Sequence, residues 1–333
     1  MADKTAILSV GIDVGTSTTQ VVFSKLQMDN AGGYFSVPRV AIVDKEVVYK
    51  SEVYMTPLKT DVLIDTDALR DIVAAEFRKA GYRPEDTDSG AVIITGESAR
   101  KENSDAVLKS LSDFAGDFVV SAAGPDMESL IAGKGSGAWQ YSMDHHCRVA
   151  NLDIGGGTSE VALISMTGIA VSQSVRVAGD AMNLAVQHYL REVFRLEVGE
   201  NTAENVKKIL GAALPQNNGL RLEVSGKDLV YGGPRVVTVT EGDICEALHD
   251  PVQAVVETVL RTLEQAPPAL AADVYDNGLL MAGGGALLRG LDQCIARATH
   301  LKVTVDKDPL TTVLRGTAQA MLYRREYEGI FIN

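Results

Sequence analysis

Cysteine is scarce. The three present in 333 residues, Cys147, Cys245 and Cys294, are too far apart to read as a disulfide frame, and no CxxC pair offers half of a zinc site. The GxSxG, HExxH and Walker GxxxxGK patterns are also missing, which removes the common serine-hydrolase, zinc-peptidase and P-loop readings. Positive charge is in deficit: 31 Lys and Arg stand against 44 Asp and Glu, a formal net charge of -13. Long-range repulsion then opposes a non-specific grip on nucleic acid or anionic lipid. No apolar run approaches the ~18–20 residues of a spanning helix. The start, MADKTAILSVGID, carries neither a basic region followed by a long apolar stretch nor a basic amphipathic helix. The expectation is a cytoplasmic protein with no transmembrane segment and no nucleic-acid partner, in which any peripheral membrane contact comes from a loop. His145-His146-Cys147 looks like a metal cluster only superficially, because neighbouring residues on a strand or loop point apart and no carboxylate lies at ligand spacing.

What is present is ordinary globular composition, 46% apolar and 23% charged, in a chain longer than one hydrophobic core usually organises. Two stretches share one grammar of apolar strand, Asp-x-Gly turn and second strand: Ile7 to Leu26 and Arg148 to Ser165. They suggest a half-chain duplication with Asp13 and Asp153 as matched points. Met166 to Gly168 then turns into a third strand, IAVSQSVRV. Apolar spacing predicts helices over 67–80, 104–114 and 180–196, and a shorter one from Thr202, its N-cap, to Ala213. A single long helix is expected over 241–266, stopped by Pro267-Pro268. A strand over 278–282 should run through Gly283-Gly284-Gly285 into a helix over 286–299. Alternating strands and helices imply an α/β architecture in two lobes, 1–147 and 148–333, with inserted subdomains at about 28–90 and 200–239.

The chemistry concentrates at the glycines. In Asp13-Val14-Gly15-Thr16-Ser17-Thr18, successive N–H groups and hydroxyls can wrap a phosphate oxygen while the carboxylate faces hydrated magnesium. Alone, the motif reads equally well as a tight hairpin. Asp153-Ile154-Gly155-Gly156-Gly157-Thr158 repeats the device, and three consecutive glycines are costly for a mere turn. Gly283-Gly284-Gly285-Ala286 would let backbone approach a nucleoside closely, although such a turn in isolation is usually only a connector.

In that order, GIDVGTSTTQ, LDIGGGTSE and MAGGGALLRGLD resemble the phosphate-1, phosphate-2 and adenosine motifs of the actin, heat-shock chaperone and sugar kinase superfamily. The resemblance implies an α/β, actin-like two-lobed ATPase fold, with duplicated mixed-sheet cores and a small inserted subdomain in each lobe. Below that level the halves differ. Residues 151–320, with TAENVKKILGAA and DPLTTVLRGTAQA, resemble MreB, the bacterial rod-shape actin. Residues 7–137, with SEVYMTPL and DMESLIAGKGSGA, resemble EutA, the reactivating factor of ethanolamine ammonia-lyase. The sequence reads as a hybrid whose seam falls near 139–149.

By this resemblance Asp13, Gly15, Thr16, Ser17 and Thr18 fall on phosphate-1, Asp153, Gly155, Gly156, Gly157 and Thr158 on phosphate-2, and Gly283 to Ala286 on the adenosine motif. Asp13 and Asp153 would hold Mg2+ through water. Glu128 sits where MreB-like proteins carry the Glu that orients the attacking water; the bland alternative is a carboxylate starting a helix. Glu204 and Lys207 match a pair flanking adenine and ribose, with a surface ion pair as the competing account. Gly179 and Asp180 match a ribose-side Gly-Gly-Asp whose first glycine is replaced by Ala178. The implied activity is slow hydrolysis of ATP with lobe rotation as its output. The implied partner is a further copy of the chain in a filament or, alternatively, a cobalamin-dependent lyase awaiting reactivation. A small-molecule kinase is a third reading, without a substrate signature to support it.

Overall fold

A computed structural model describes residues 5–15, 17–30, 40–60, 63–94, 98, 101–115, 118–122, 125–165, 168–216, 218–313, 315 and 316. The chain forms two compact units, Met1–Gly135 with Val313–Asn333, and Ser136–Thr312. The division thus crosses the chain twice, where the sequence reading has a single boundary at 147/148.

In the first unit, β1 (Thr5–Val14) and β2 (Thr18–Asn30) make a hairpin, β3 (Val40–Lys50) continues it antiparallel, and β4 (Tyr54–Met55) adds to β2 beside the turn. A small hairpin, β5 (Leu58–Thr60) and β6 (Leu63–Ile64), leads into α1 (Thr66–Ala80). Then follow β7 (Ser89–Ile94), α2 (Ser104–Ala115), β8 (Phe118–Ala122) and α3 (Pro125–Gly135). The sheet order is β3-β2-β1-β7-β8, with β7 and β8 parallel to β1. Within 28–90, where an inserted subdomain is expected, β3 and β4 instead extend this same sheet. Val10, Ile12 and Val14 alternate onto one face with Phe23, where Leu69, Val73 and Phe77 of α1 and Leu108 and Leu111 of α2 bury them. On the other face Ile93 meets Ile131 of α3 and Val313.

The second unit opens with α4 (Ala138–His145), followed by β9 (Val149–Ile154), β10 (Ser159–Ser165) and β11 (Gly168–Val175) as a meander. Next come α5 (Gly179–Phe194), β12 (Leu196–Glu197), α6 (Glu200–Leu210), β13 (Arg221–Asp228) and β14 (Pro234–Thr240). The chain continues through α7 (Glu241–Ala247), α8 (His249–Glu264), α9 (Pro268–Asn277), β15 (Leu279–Ala282), α10 (Leu291–Thr299) and β16 (Val303–Val305). The main sheet, β11-β10-β9-β15-β16, repeats the order of the first: a three-stranded antiparallel meander followed by two parallel strands. Asp13 and Asp153 occupy matched positions, one residue before the end of β1 and of β9. The strands β12-β13-β14 form a separate small sheet.

Three expected helices differ in their ends. The helix over 241–266 is broken at Leu248 into α7 and α8, and the Thr240 hydroxyl caps the first piece by accepting from the Asp243 N–H. The helix expected from Ala286 is a 3-10 turn over Gly284–Leu287, with α10 starting only after Gly290, whose φ is +74°. Thr202 is no N-cap: α6 starts at Glu200, and Gly199 precedes it. Proline acts as expected at Pro267, and Pro268 opens α9 at a position where no N–H is needed.

Candidate functional site

Each unit carries one Asp-Gly-Thr hairpin, and the two turns close in the same way. The Gly15 N–H donates to the Thr18 carbonyl at 2.8 Å, and the Gly155 N–H to the Thr158 carbonyl at 2.9 Å. Four-residue turns of this kind leave backbone N–H groups at the tip for a ligand, which is what the glycine and threonine pattern implies. Thr16 lies outside the described residues, and so does the Glu128 side chain, whose backbone belongs to α3.

In the second unit the expected residues converge. Asp153 is buried in β9, in register with Glu160 of β10 and Ala282 of β15. β15 ends there and the chain turns at Gly283, with φ +77° and an N–H that donates to the Pro309 carbonyl at 3.0 Å. A Cβ on Gly283 would collide with the Asp153 carboxylate and the Ile154 carbonyl; one on Gly285 would strike the Ile154 side chain. Only glycine allows these two turns to lie against each other.

Behind the hairpin stands α5. Its first N–H groups donate to the glycine turn, Gly179 to the Gly155 carbonyl at 3.2 Å and Asp180 to the Gly156 carbonyl at 2.8 Å. The positive end of the helix is thereby fixed beside the glycines. Ala178, in place of glycine, has φ −155°, which any residue adopts, so the substitution introduces no backbone strain. The Lys207 ammonium of α6 reaches back to the Gly179 carbonyl at 2.8 Å. Burial pushes this ammonium below the usual lysine value, while the Glu204 and Asp180 carboxylates pull it the other way. Glu204 itself pairs with Lys208 at 2.9 Å, so the two residues share a helix but have separate partners. At the end of α6 the Arg289 guanidinium donates to the Gly211 and Ile209 carbonyls, both at 3.0 Å, and ties the helix to the chain leaving the Gly283 turn. The Asp153 hairpin, α5 and α6 are therefore joined by hydrogen bonds, with the Gly283 turn packed against the hairpin. The assembly combines a helix N-terminus, a desolvated ammonium and close-packed backbone around a buried carboxylate, which suits an anionic ligand carrying a cation.

In the first unit, Asp13 and Gly15 are half-buried at the end of β1. The Gly15 carbonyl accepts from two hydroxyls, Thr56 and Ser98, each at 2.9 Å. The Thr56 N–H donates to the Ser17 carbonyl at 2.8 Å. Thr56, Ser98 and Arg289 were not singled out in the sequence. Each stands inside a stretch of family-like sequence, but its partner lies 41, 83 or 78 residues away.

The family model of ethanolamine utilisation protein EutA matches residues 5–214. Ethanolamine ammonia-lyase reactivase EutA of Salmonella typhimurium is 40% identical over 200 residues, 60% of this chain and 42% of that protein. Cell shape-determining protein MreB of Escherichia coli is 44% identical over 170 residues, 51% of this chain and 49% of that protein. The chain spans about half the length of the curated relatives it matches, 42% and 49%. Among solved structures, MreB5 of Spiroplasma citri bound to ADP superposes with a TM-score of 0.70 at 23% identity, covering 96% of this chain and 99% of that one. That likeness gives the fold as actin-like α/β, and the similarity to MreB and EutA places the chain in the actin, heat-shock chaperone and sugar kinase superfamily. With a family model matching well over half of its length, the chain belongs to the family of the ethanolamine utilisation protein EutA.

Proposed function

We propose that the chain binds Mg-ATP, hydrolyses it slowly and uses the nucleotide as a conformational switch. The observation that carries this reading is the assembly of the second unit, in which α5 is bonded to the Asp153 hairpin, Lys207 is bonded to the start of α5, and the Gly283 turn is packed against the hairpin. The residues fit a magnesium nucleotide: the carboxylates of Asp13 and Asp153 each stand beside a turn rich in N–H and hydroxyl donors, and the cradle at Gly283 is one a Cβ would fill. Asp13 and Asp153 would hold the ion through water, and the ion would supply neutralisation of phosphate charge.

The rest is done by the chain. Gly155, Gly156, Gly157 and Thr158 present donors to phosphate oxygens, and Gly15, Ser17 and Thr18 form a second phosphate-binding element. Lys207 supplies positive charge next to Gly179 and Asp180, and Gly283 to Ala286 form the floor for the nucleoside. Glu128 orients a water whose oxygen bonds to the γ-phosphorus while the bridging bond to ADP breaks and phosphate leaves. Such sites act by position and electrostatics, so turnover is slow.

The switch is read out by self-association, a reading supported by the 44% identity to the cell shape-determining protein MreB over 170 residues. A specific observation favours a second output: the EutA model matches residues 5–214, which supports nucleotide-driven reactivation of a cobalamin-dependent lyase. Calorimetry tests the shared core. Mg-ATP should bind, EDTA should abolish binding, and Asp153→Asn should weaken it at least tenfold; a wild-type chain with no magnesium-dependent affinity would end the proposal. Sedimentation in Mg-ATP against Mg-ADP then separates the outputs, since a species that stays soluble yet restores an inactivated lyase selects the second.

A further inference from the structure

The two hairpins are matched residue for residue, Asp13 with Asp153, Gly15 with Gly155 and Thr18 with Thr158, and in both the carbonyl of the first glycine is held from outside the turn. The holders differ. Gly155 is held by a backbone N–H, that of Gly179 at the start of α5. Among the described residues no helix begins in the corresponding place after β3, and the Gly15 carbonyl is held by the hydroxyls of Thr56 and Ser98.

Thr56 does more than Ser98. It is buried, it donates its proton to the Gly15 carbonyl, and its oxygen lies 3.0 Å from the hydroxyl of Thr19, which is also buried. With the Thr56 proton committed to Gly15, the Thr19 hydroxyl must be the donor in that pair, so the chain of bonds runs in one direction, Thr19 to Thr56 to Gly15. Its N–H takes the Ser17 carbonyl as well. One residue therefore fixes both ends of the turn. Because a peptide group is planar, fixing the Gly15 carbonyl fixes the plane of the peptide to which it belongs, and hence the direction in which the turn can offer a donor.

We propose that Thr56 is the positioning residue of the first hairpin: through Gly15 and Ser17 it holds the turn in its phosphate-accepting form, and it passes occupancy of the turn on to β4. The second half of the proposal follows from place, since Thr56 immediately follows β4, whose Tyr54 and Met55 pair with Thr19 and Thr18. It rests on the Mg-ATP reading, which the experiment keeps separate.

Thr56→Val keeps the shape and the N–H but removes the hydroxyl; Thr56→Ser keeps the hydroxyl. By calorimetry, Thr56→Val should weaken Mg-ATP at least tenfold and Thr56→Ser should stay within about threefold of wild type. Hydrogen exchange at the Tyr54 and Thr56 amides should slow on adding Mg-ATP to wild type and not to Thr56→Val. A residue that merely supports the fold would lower the melting midpoint and leave affinity and the exchange response alone. Should Thr56→Val not fold, Ser98→Ala removes the other hydroxyl from the same carbonyl and should weaken binding as well. No affinity in wild type overturns the Mg-ATP reading and this proposal with it. Affinity in wild type that survives unchanged in Thr56→Val, or in Ser98→Ala if the former is unfolded, overturns this proposal alone.

Discussion

A methyl group on Gly283 would occupy the space of the Asp153 carboxylate, at a residue whose φ of +77° already disfavours any side chain. Gly283→Ala should therefore destabilise the protein by about 3 kcal/mol, near the top of the ordinary range for single substitutions. It should also weaken Mg-ATP more than stability alone accounts for, because the carboxylate it displaces is the proposed ion holder. Thermal melting and calorimetry on the same preparation check both halves; a Gly283→Ala protein as stable as wild type would contradict the collision. In isolation this glycine turn reads as a connector, and only its order after the two Asp-x-Gly hairpins marked it in the sequence. What the glycine avoids was not readable, because Asp153 is 130 positions away and only the pairing of β9 with β15 brings it there.

At the scale of elements, the Glu76 cluster joins β3, β4 and α1. The carboxylate is fully buried and accepts from the Tyr49 hydroxyl at 2.7 Å, the Tyr54 hydroxyl at 2.5 Å and the Lys79 ammonium at 2.7 Å. Burial alone would raise its pKa, but the three hydrogen bonds outweigh burial and hold it below the ordinary carboxylate value of 4.5. On the other side of the pair, burial and the Glu76 carboxylate push the Tyr49 hydroxyl up to about 12. The folded-state pKa of Glu76 is depressed, so its contribution to stability is present above about pH 4.5 and is lost as pH falls through the lower folded value. Glu76→Gln should cost about 2 kcal/mol at pH 7, the scale of hydrogen bonds to a charged group. Melting curves of the two proteins should converge in acid as the pH falls through the lowered folded value; a gap that stays constant into acid would show that charge plays no part.

Element ends show where reading a sequence stops. That α5 is a helix was legible from its broad apolar stripe, but only part of that stripe is core: Met182 and Leu190 are buried, Leu184 and Val193 are exposed, and Val186, outside the stripe, is buried instead. The break at Leu248 was not, since the apolar stripe runs on through α7 and α8 and the turn comes from tertiary packing. The delayed start of α10 has the same origin: Arg289 is drawn to the end of α6, and the 3-10 turn accommodates that pull.

Over the whole molecule, the repeated sheet order was implied by two matching hairpins, whereas the return of the chain to its first unit was not. Among the described residues of that return, Val313 joins Ile93 and Ile131, the Arg315 side chain donates to the Gly135 carbonyl at 3.2 Å, and Gly316 lies so close to the Ile131 carbonyl that no Cβ fits. The second unit is continuous in sequence and has its own core. A fragment of residues 136–312 should melt cooperatively in circular dichroism, and a fragment ending at Gly135 should not unless a peptide beginning at Val313 is supplied. Equal cooperativity in the two unsupplemented fragments would contradict this.

The closing strand of contacts also sets an order of events during synthesis. Everything needed to finish the second unit has left the ribosome by Thr312, while the piece that seats under Ile131 and Gly135 emerges only afterwards. The half of the protein translated first is thus completed last, and until then the face of α3 that receives Val313 and Gly316 stays open to whatever apolar surface the growing chain or a chaperone presents.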